Sequence, residues 1–150
     1  MVARDSGGVK SLTLEAVMPF TRVSLLAGKS PDYLAAISDS LDRALVESFN
    51  TPEADRFMAF DQLQPGEFVF DRTYRGGPRS DDFVVFHITT GKRRSPATKE
   101  RFFQHLVELL GKAPGIRPED VMVIVANSEF EDWSFSSGVS AAAPVPADSP

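Results

Sequence analysis

The chain has 150 residues, 42% hydrophobic and 25% charged, with a formal net charge of −5. This length fits one domain with enough apolar content for its own core. The absence of cysteine excludes a disulfide framework, thiolate metal ligands and a cysteine nucleophile. Acidic and basic residues are interspersed, unlike the basic stripe of a nucleic-acid binder, and no apolar run approaches a membrane span.

Residues 1–18 read as an extension interrupted by Gly7-Gly8 and not as part of the mature domain. They lack the apolar core and small-residue cleavage site of a secretory signal, which makes the cytoplasm the default location. Phe20 to Leu26 reads as a strand. Ser30-Pro31 then opens a helix, with Ser30 as cap and Pro31 at the first helical position. Leu34, Ile37, Leu41, Leu45 and Phe49 give it one apolar stripe, and Asn50 and Pro52 end it. Arg56 to Leu63 is a second strand. Phe68 to Tyr74 reads as a shorter one before the Gly76-Gly77-Pro78 turn.

The pattern then recurs. Phe83 to Thr89 is a strand, and Ser95-Pro96 opens a helix with Phe102, Phe103, Leu106, Leu109 and Leu110 on one side. Gly111, Pro114 and Gly115 end it, and Val121 to Val125 is the last clear strand. At one common offset, Ser30-Pro31 matches Ser95-Pro96 and Pro52-Glu-Ala-Asp55 matches Arg117-Pro-Glu-Asp120, so the chain reads as two similar β-α-β units. The expected fold is α/β (α+β), a four-stranded sheet with two helices on one face. The organised domain runs over residues 19–139, and the Ala/Pro-rich residues 140–150 read as a disordered tail. Because Phe83–Phe86 and Val121–Val125 are apolar on both strand faces, the uncovered sheet face calls for other copies of the chain.

Several familiar motifs fail. Gly28-Lys29-Ser30 resembles the end of a phosphate-binding loop, but Val23 stands where its earlier glycine is required. No G-x-S-x-G elbow exists. His87 and His105 lack ligand spacing, and Glu129, Glu131 and Asp132 read as a solvated loop; no metal and no cofactor is expected. What survives is Pro19, which follows Met18 and begins the first strand. Within a chain its nitrogen is a tertiary amide without basicity. At an amino terminus it becomes a secondary amine able to act as base, acid or iminium-forming nucleophile. The plain structural reading is a proline at a strand start.

Pro19-Phe20, the two β-α-β units, Pro52-Glu-Ala-Asp55-Arg56, Arg94-Ser95, Gly115-Ile-Arg-Pro-Glu-Asp120 and Asn127…Asp132-Trp-Ser-Phe135 together resemble the tautomerase superfamily. Within it, the chain looks most like the malonate semialdehyde decarboxylase group. The resemblance implies Pro19 as the catalytic amino-terminal group, with Asp55 and Arg94 as further catalytic residues. It implies a second basic residue, Lys92 or Arg93, gripping the substrate carboxylate, and Trp133 and Phe135 lining an apolar wall. It also implies a homotrimer that decarboxylates or tautomerises a small oxo acid or its enol. The alternative is a non-catalytic protein of the same fold that binds a small anion or a protein partner, with Pro19 blocked by the residues before it.

Overall fold

Ser30 and Ser95 play the same part in two places. In the computed structural model, which describes residues 19–53 and 56–143, each hydroxyl accepts a hydrogen bond from the backbone N–H three residues on. The distance is 3.1 Å from Tyr33 and 3.1 Å from Thr98. Each serine satisfies one of the donors a helix start leaves unpaired, and the following proline gives up none. The helices are α1, Pro31–Phe49, and α2, Pro96–Lys112. Asn50 ends α1 in the left-handed conformation, with φ of 61°.

Strands β1 (Phe20–Leu26), β2 (Met58–Leu63), β3 (Val84–Thr90) and β4 (Val121–Asn127) form one mixed sheet in the order β2-β1-β3-β4. Each helix crosses between parallel strands, β1 to β2 and β3 to β4, while β1 and β3 run antiparallel at the centre. The two β-α-β units therefore meet through their first strands.

Alternation along the strands decides what the helices cover. Val23, Leu25, Val84, Phe86 and Ile88 face α1 and α2 and are buried with Ile37, Leu41, Phe102, Leu106 and Leu110. Registered rows such as Phe60–Val23–Phe86–Val123 run across the sheet on this side. The opposite face carries Arg22, Ser24, Val85, His87, Met122 and Ile124. Here Met122 and Ile124 remain 42% and 40% exposed. The two-sided apolar character expected from the sequence thus holds for β4 and for Val85 in β3, beyond which β3 turns His87 and Thr89 outward.

Phe68 to Tyr74 does not form a strand. Its alternating rings pack from a loop: Phe68 and Phe70 lie 5.7 and 4.5 Å from the buried Phe83, centroid to centroid. Asp120, fully buried, pins the end of that loop by accepting from Ser80 N–H and Ser80 Oγ, both at 2.7 Å, and from Arg117 Nε at 3.1 Å. After β4, a two-strand hairpin of β5 (Ser134–Ser136) and β6 (Val139–Ser140) turns through Ser137 and Gly138. Both have positive φ, 62° and 73°, as a two-residue turn of this hand requires. Ser140, placed in the expected tail, pairs with Ser134, and Ala141 N–H donates to Trp133 O at 2.8 Å.

Candidate active site

Pro19 sits at the head of β1 and is buried. The residue pairs Phe20↔Thr89 and Thr21↔Met58, together with a 3.0 Å bond from Thr21 N–H to Phe57 O, hold it between the end of β3 and the entry to β2. On the helix side Pro19 borders a small, partly open cavity of about 10 Å³ with Thr21, Asp42, Thr51, Arg56 and Phe57. That is room for roughly one water.

Arg56 is bound to α1. Its Nη1 donates to Ser38 Oγ and Asp39 Oδ1, each at 2.8 Å, and its Nε lies 3.5 Å from Asp42 Oδ2. Asp55, the aspartate singled out beside it, lies outside the described residues.

The basic turn after β3 divides into two kinds of residue. Arg94 folds inward: Nη1 donates to Thr90 Oγ1 and, at 2.7 Å, to Lys92 O, while Nη2 donates to Phe49 O at 3.0 Å. Its guanidinium lies 4.5 Å from the centroid of the Phe49 ring. Helix α1 has no basic residue in its own last turn. Arg94 supplies that charge from another part of the chain, where carbonyls accumulate partial negative charge. Burial pushes its pKa down, yet a guanidinium stays protonated. Lys92 and Arg93 are exposed.

Trp133 and Phe135 stack with centroids 5.4 Å apart, and Phe135 reaches within 6.5 Å of Phe57, which lines the Pro19 cavity. Trp133 also borders a shallow hollow of about 380 Å³ with Phe20, Thr89 and Ser128. Its indole N–H donates to Ser128 Oγ at 2.7 Å, and Ser128 Oγ donates to Thr90 O at 3.0 Å. Thr90, fully buried, is therefore a hub: its hydroxyl receives Arg94 and its carbonyl receives Ser128, which carries Trp133. The sequence reading missed Thr90 and Ser128. Their only local signal is a polar pair of residues, Thr89-Thr90, closing an apolar strand.

The acidic run is engaged locally. Asp132 Oδ2 accepts from Glu129 N–H at 2.8 Å and caps a single helical turn over Phe130–Asp132. A wider hollow of about 600 Å³ opens at the other end of the sheet, bordered by Phe68, Phe70, Phe83, Val85 and Met122.

Pro19, Arg94, Lys92, Arg93, Trp133 and Phe135 thus belong to one end of the sheet. The chain as a whole is similar to known proteins. A family model described as "Tautomerase enzyme" matches residues 55–136, and a second of the same description matches residues 19–75. The chain is similar to the probable tautomerase YusQ of Bacillus subtilis (strain 168), with 31% identity covering 81% of this chain and 95% of that protein. It is also similar to a crystal structure of malonate semialdehyde decarboxylase, with 30% identity and a TM-score of 0.75 covering 81% of this chain and 93% of that one. A fused 4-OT symmetric trimer shares the fold, with 18% identity and a TM-score of 0.66 covering 81% of this chain and 95% of that one.

Proposed function

The chain belongs to the tautomerase family of enzymes, and from that premise we propose that it acts on a small oxo acid or its enol through Pro19 as an amino-terminal amine. The observation that carries this reading is the meeting of three elements at one end of the sheet. They are a buried proline heading β1, a basic turn at residues 92–94, and the Trp133–Phe135 stack.

The chemistry follows from electron flow. When a 3-oxo acid loses carbon dioxide, the bond to its carboxylate breaks and that electron pair moves into the adjacent carbonyl. A protonated Pro19 donates its proton to the carbonyl oxygen, giving an enol; the enol takes a proton from water at carbon while its hydroxyl proton returns to Pro19, and the hydroxide formed combines with the released carbon dioxide as bicarbonate. A neutral Pro19 acting as base instead moves a proton between carbon and oxygen of an enol. In both cases a cation must hold the carboxylate. Lys92 and Arg93, exposed and beside Arg94, suit that role, while Arg94 holds the turn and adds its charge. Asp55 would orient Pro19 or a water. Trp133 and Phe135 would exclude solvent from the uncharged side.

Self-association as a trimer is part of the same reading. It is supported by the half-exposed Met122 and Ile124 on the uncovered sheet face and by the fold shared with trimeric relatives. The engagement of Arg94 by Thr90, Lys92 and Phe49 favours a second reading, an anion-binding protein without turnover. Intact mass of the protein from its natural host separates the two. A chain beginning at Pro19 that interconverts enol and oxo acid or releases carbon dioxide, with loss of activity in Pro19→Ala, is expected. A chain that retains residues ahead of Pro19 and turns nothing over refutes the enzymatic reading.

A further inference from the structure

We propose that Thr90 and Ser128 are positioning residues: the Thr90 hydroxyl sets the basic turn that grips a carboxylate, and the Ser128 hydroxyl separately sets the Trp133 ring that walls the pocket. The inference rests on the enzymatic reading above for its meaning in catalysis, while its test needs no turnover.

Thr90 continues the helix-facing row of Val84, Phe86 and Ile88 and is fully buried. Packing alone would suit valine there, the same shape without a hydroxyl to satisfy. What the hydroxyl holds explains its presence. The direction of each proton follows from the donors, because an indole N–H and a guanidinium can only donate. Trp133 donates to Ser128 Oγ at 2.7 Å, so that hydroxyl is the acceptor there and gives its one proton to Thr90 O, 3.0 Å away. Arg94 Nη1 donates to Thr90 Oγ1, which leaves the Thr90 proton for Lys92 O at 3.3 Å. Both relays run one way, each passes through a single hydroxyl, and each ends on a backbone carbonyl.

The two relays serve different sides of one site. Lys92 O takes the Thr90 hydroxyl and, at 2.7 Å, Arg94 Nη1, while Arg94 Nη2 reaches Phe49 O at 3.0 Å. The backbone of residue 92 is thereby fixed, and the exposed side chains of Lys92 and Arg93 project from a held turn. Thr90 places the carboxylate grip through Arg94 without touching substrate. On the other side, Trp133 borders the hollow of about 380 Å³ with Phe20 and Thr89 and stacks on Phe135. Its backbone is held elsewhere, with its N–H on Phe130 O at 3.3 Å and its carbonyl accepting from Ala141 N–H at 2.8 Å. The indole has one polar atom, so the bond to Ser128 selects the rotation of the ring. Ser128 N–H also donates to Thr90 O, at 2.9 Å, which anchors this relay to the end of β3. The two sides hang from one buried residue by separate atoms, its hydroxyl and its carbonyl, and can be cut independently.

The test pairs two readouts on protein with the amino terminus that the intact mass defines. One is the indole N–H signal of Trp133, the chain's one tryptophan, in a ¹H–¹⁵N correlation spectrum. The other is the dissociation constant for malonate by calorimetry; malonate offers the carboxylate of a 3-oxo acid without its reactive carbonyl. Circular dichroism confirms the fold of each variant. Thr90→Val is expected to weaken malonate binding about tenfold, as a misplaced holding group does, and to leave the indole signal in place. Thr90→Ser restores the affinity. Ser128→Ala is expected to move the indole signal upfield and speed its exchange with water, with malonate affinity within about twofold of wild type, the scatter between independent sites. Ser128→Thr restores the signal. A merely structural role would move both readouts in both variants, so folded variants that fail to split them overturn the proposal, as does a wild type that binds no malonate. Should Thr90→Val fail to fold, the two Ser128 variants decide by the same criterion. Split readouts without turnover of any oxo acid sink the enzymatic reading alone, and turnover with unsplit readouts sinks this inference alone.

Discussion

Arg94→Ala separates a residue that builds the site from one that only borders it. The substitution removes the bond to the carbonyl of Phe49 and the cation from the Phe49 ring, 4.5 Å away. A hydrogen bond from a charged donor contributes about 1.5–3 kcal/mol. A partly desolvated cation over a ring adds about 0.5–2 kcal/mol, and a cation at a helix C-terminus about 0.3–1 kcal/mol. These contributions share one charge and overlap, so the expected loss is about 2–4 kcal/mol. For a chain of this size each kcal/mol moves the melting temperature by about 2–4 °C, so a loss near 3 kcal/mol corresponds to roughly 6–12 °C. Urea unfolding of the wild type, Arg94→Ala and Arg94→Lys reads the effect directly. Lysine keeps the charge but lacks the planar fork that reaches Thr90, Lys92 and Phe49 together, and should recover less than half of the loss. A change below about 0.5 kcal/mol in Arg94→Ala, the range of ordinary surface substitutions, would refute the reasoning and free Arg94 for a direct role with substrate.

Further outcomes follow from the same structure. Phe86→Ala, at a fully buried position in the centre of β3, should cost about 3–5 kcal/mol in a denaturant titration; a cost below 1 kcal/mol would mean the core is assigned wrongly. Burial alone would raise the Asp120 carboxyl pKa, but the Ser80 N–H and hydroxyl and the Arg117 guanidinium outweigh it and hold the pKa below the ordinary aspartate value. The stability this group contributes is present above the unfolded value, about 3.9, and is lost as pH falls through the lower folded value. The gap between wild type and Asp120→Asn in urea midpoints should therefore be full at pH 7 and shrink below about pH 4; a gap that widens in acid contradicts the assignment. Ile124→Asp puts a charge on the uncovered sheet face and should convert a trimer to monomers in analytical ultracentrifugation, whereas an unchanged mass would place the contact elsewhere.

The fold was most legible where one residue type settles a local conformation. Ser-Pro marks both helix starts because a capping hydroxyl and a donor-free ring suit the same place, and Asn50 marks an end because it tolerates positive φ. Phe68 to Tyr74 misled because alternating rings suit a strand equally well as a loop whose Phe68 and Phe70 reach back to Phe83. The β5–β6 hairpin, of three and two residues, is too short to show periodicity, although Ser137-Gly138 carried its turn. Of the candidate site, Pro19 and the Trp133–Phe135 pair were visible as motif. The hub at Thr90 was not, since it exists only once β3, the basic turn and Ser128 are brought together. Nor was Asp42, whose spacing reads as the polar edge of an amphipathic helix until its burial is known.

The measurement that bears most directly on the central claim compares two forms of one protein, one beginning at Pro19 and one with Met18 retained ahead of it. Both are assayed for enol–oxo interconversion and carbon dioxide release. Acylating the ring nitrogen removes its basicity and its nucleophilicity, so activity should fall at least about a hundredfold, the smaller end of what a proton-transfer group contributes. Equal rates from the two forms would contradict the account.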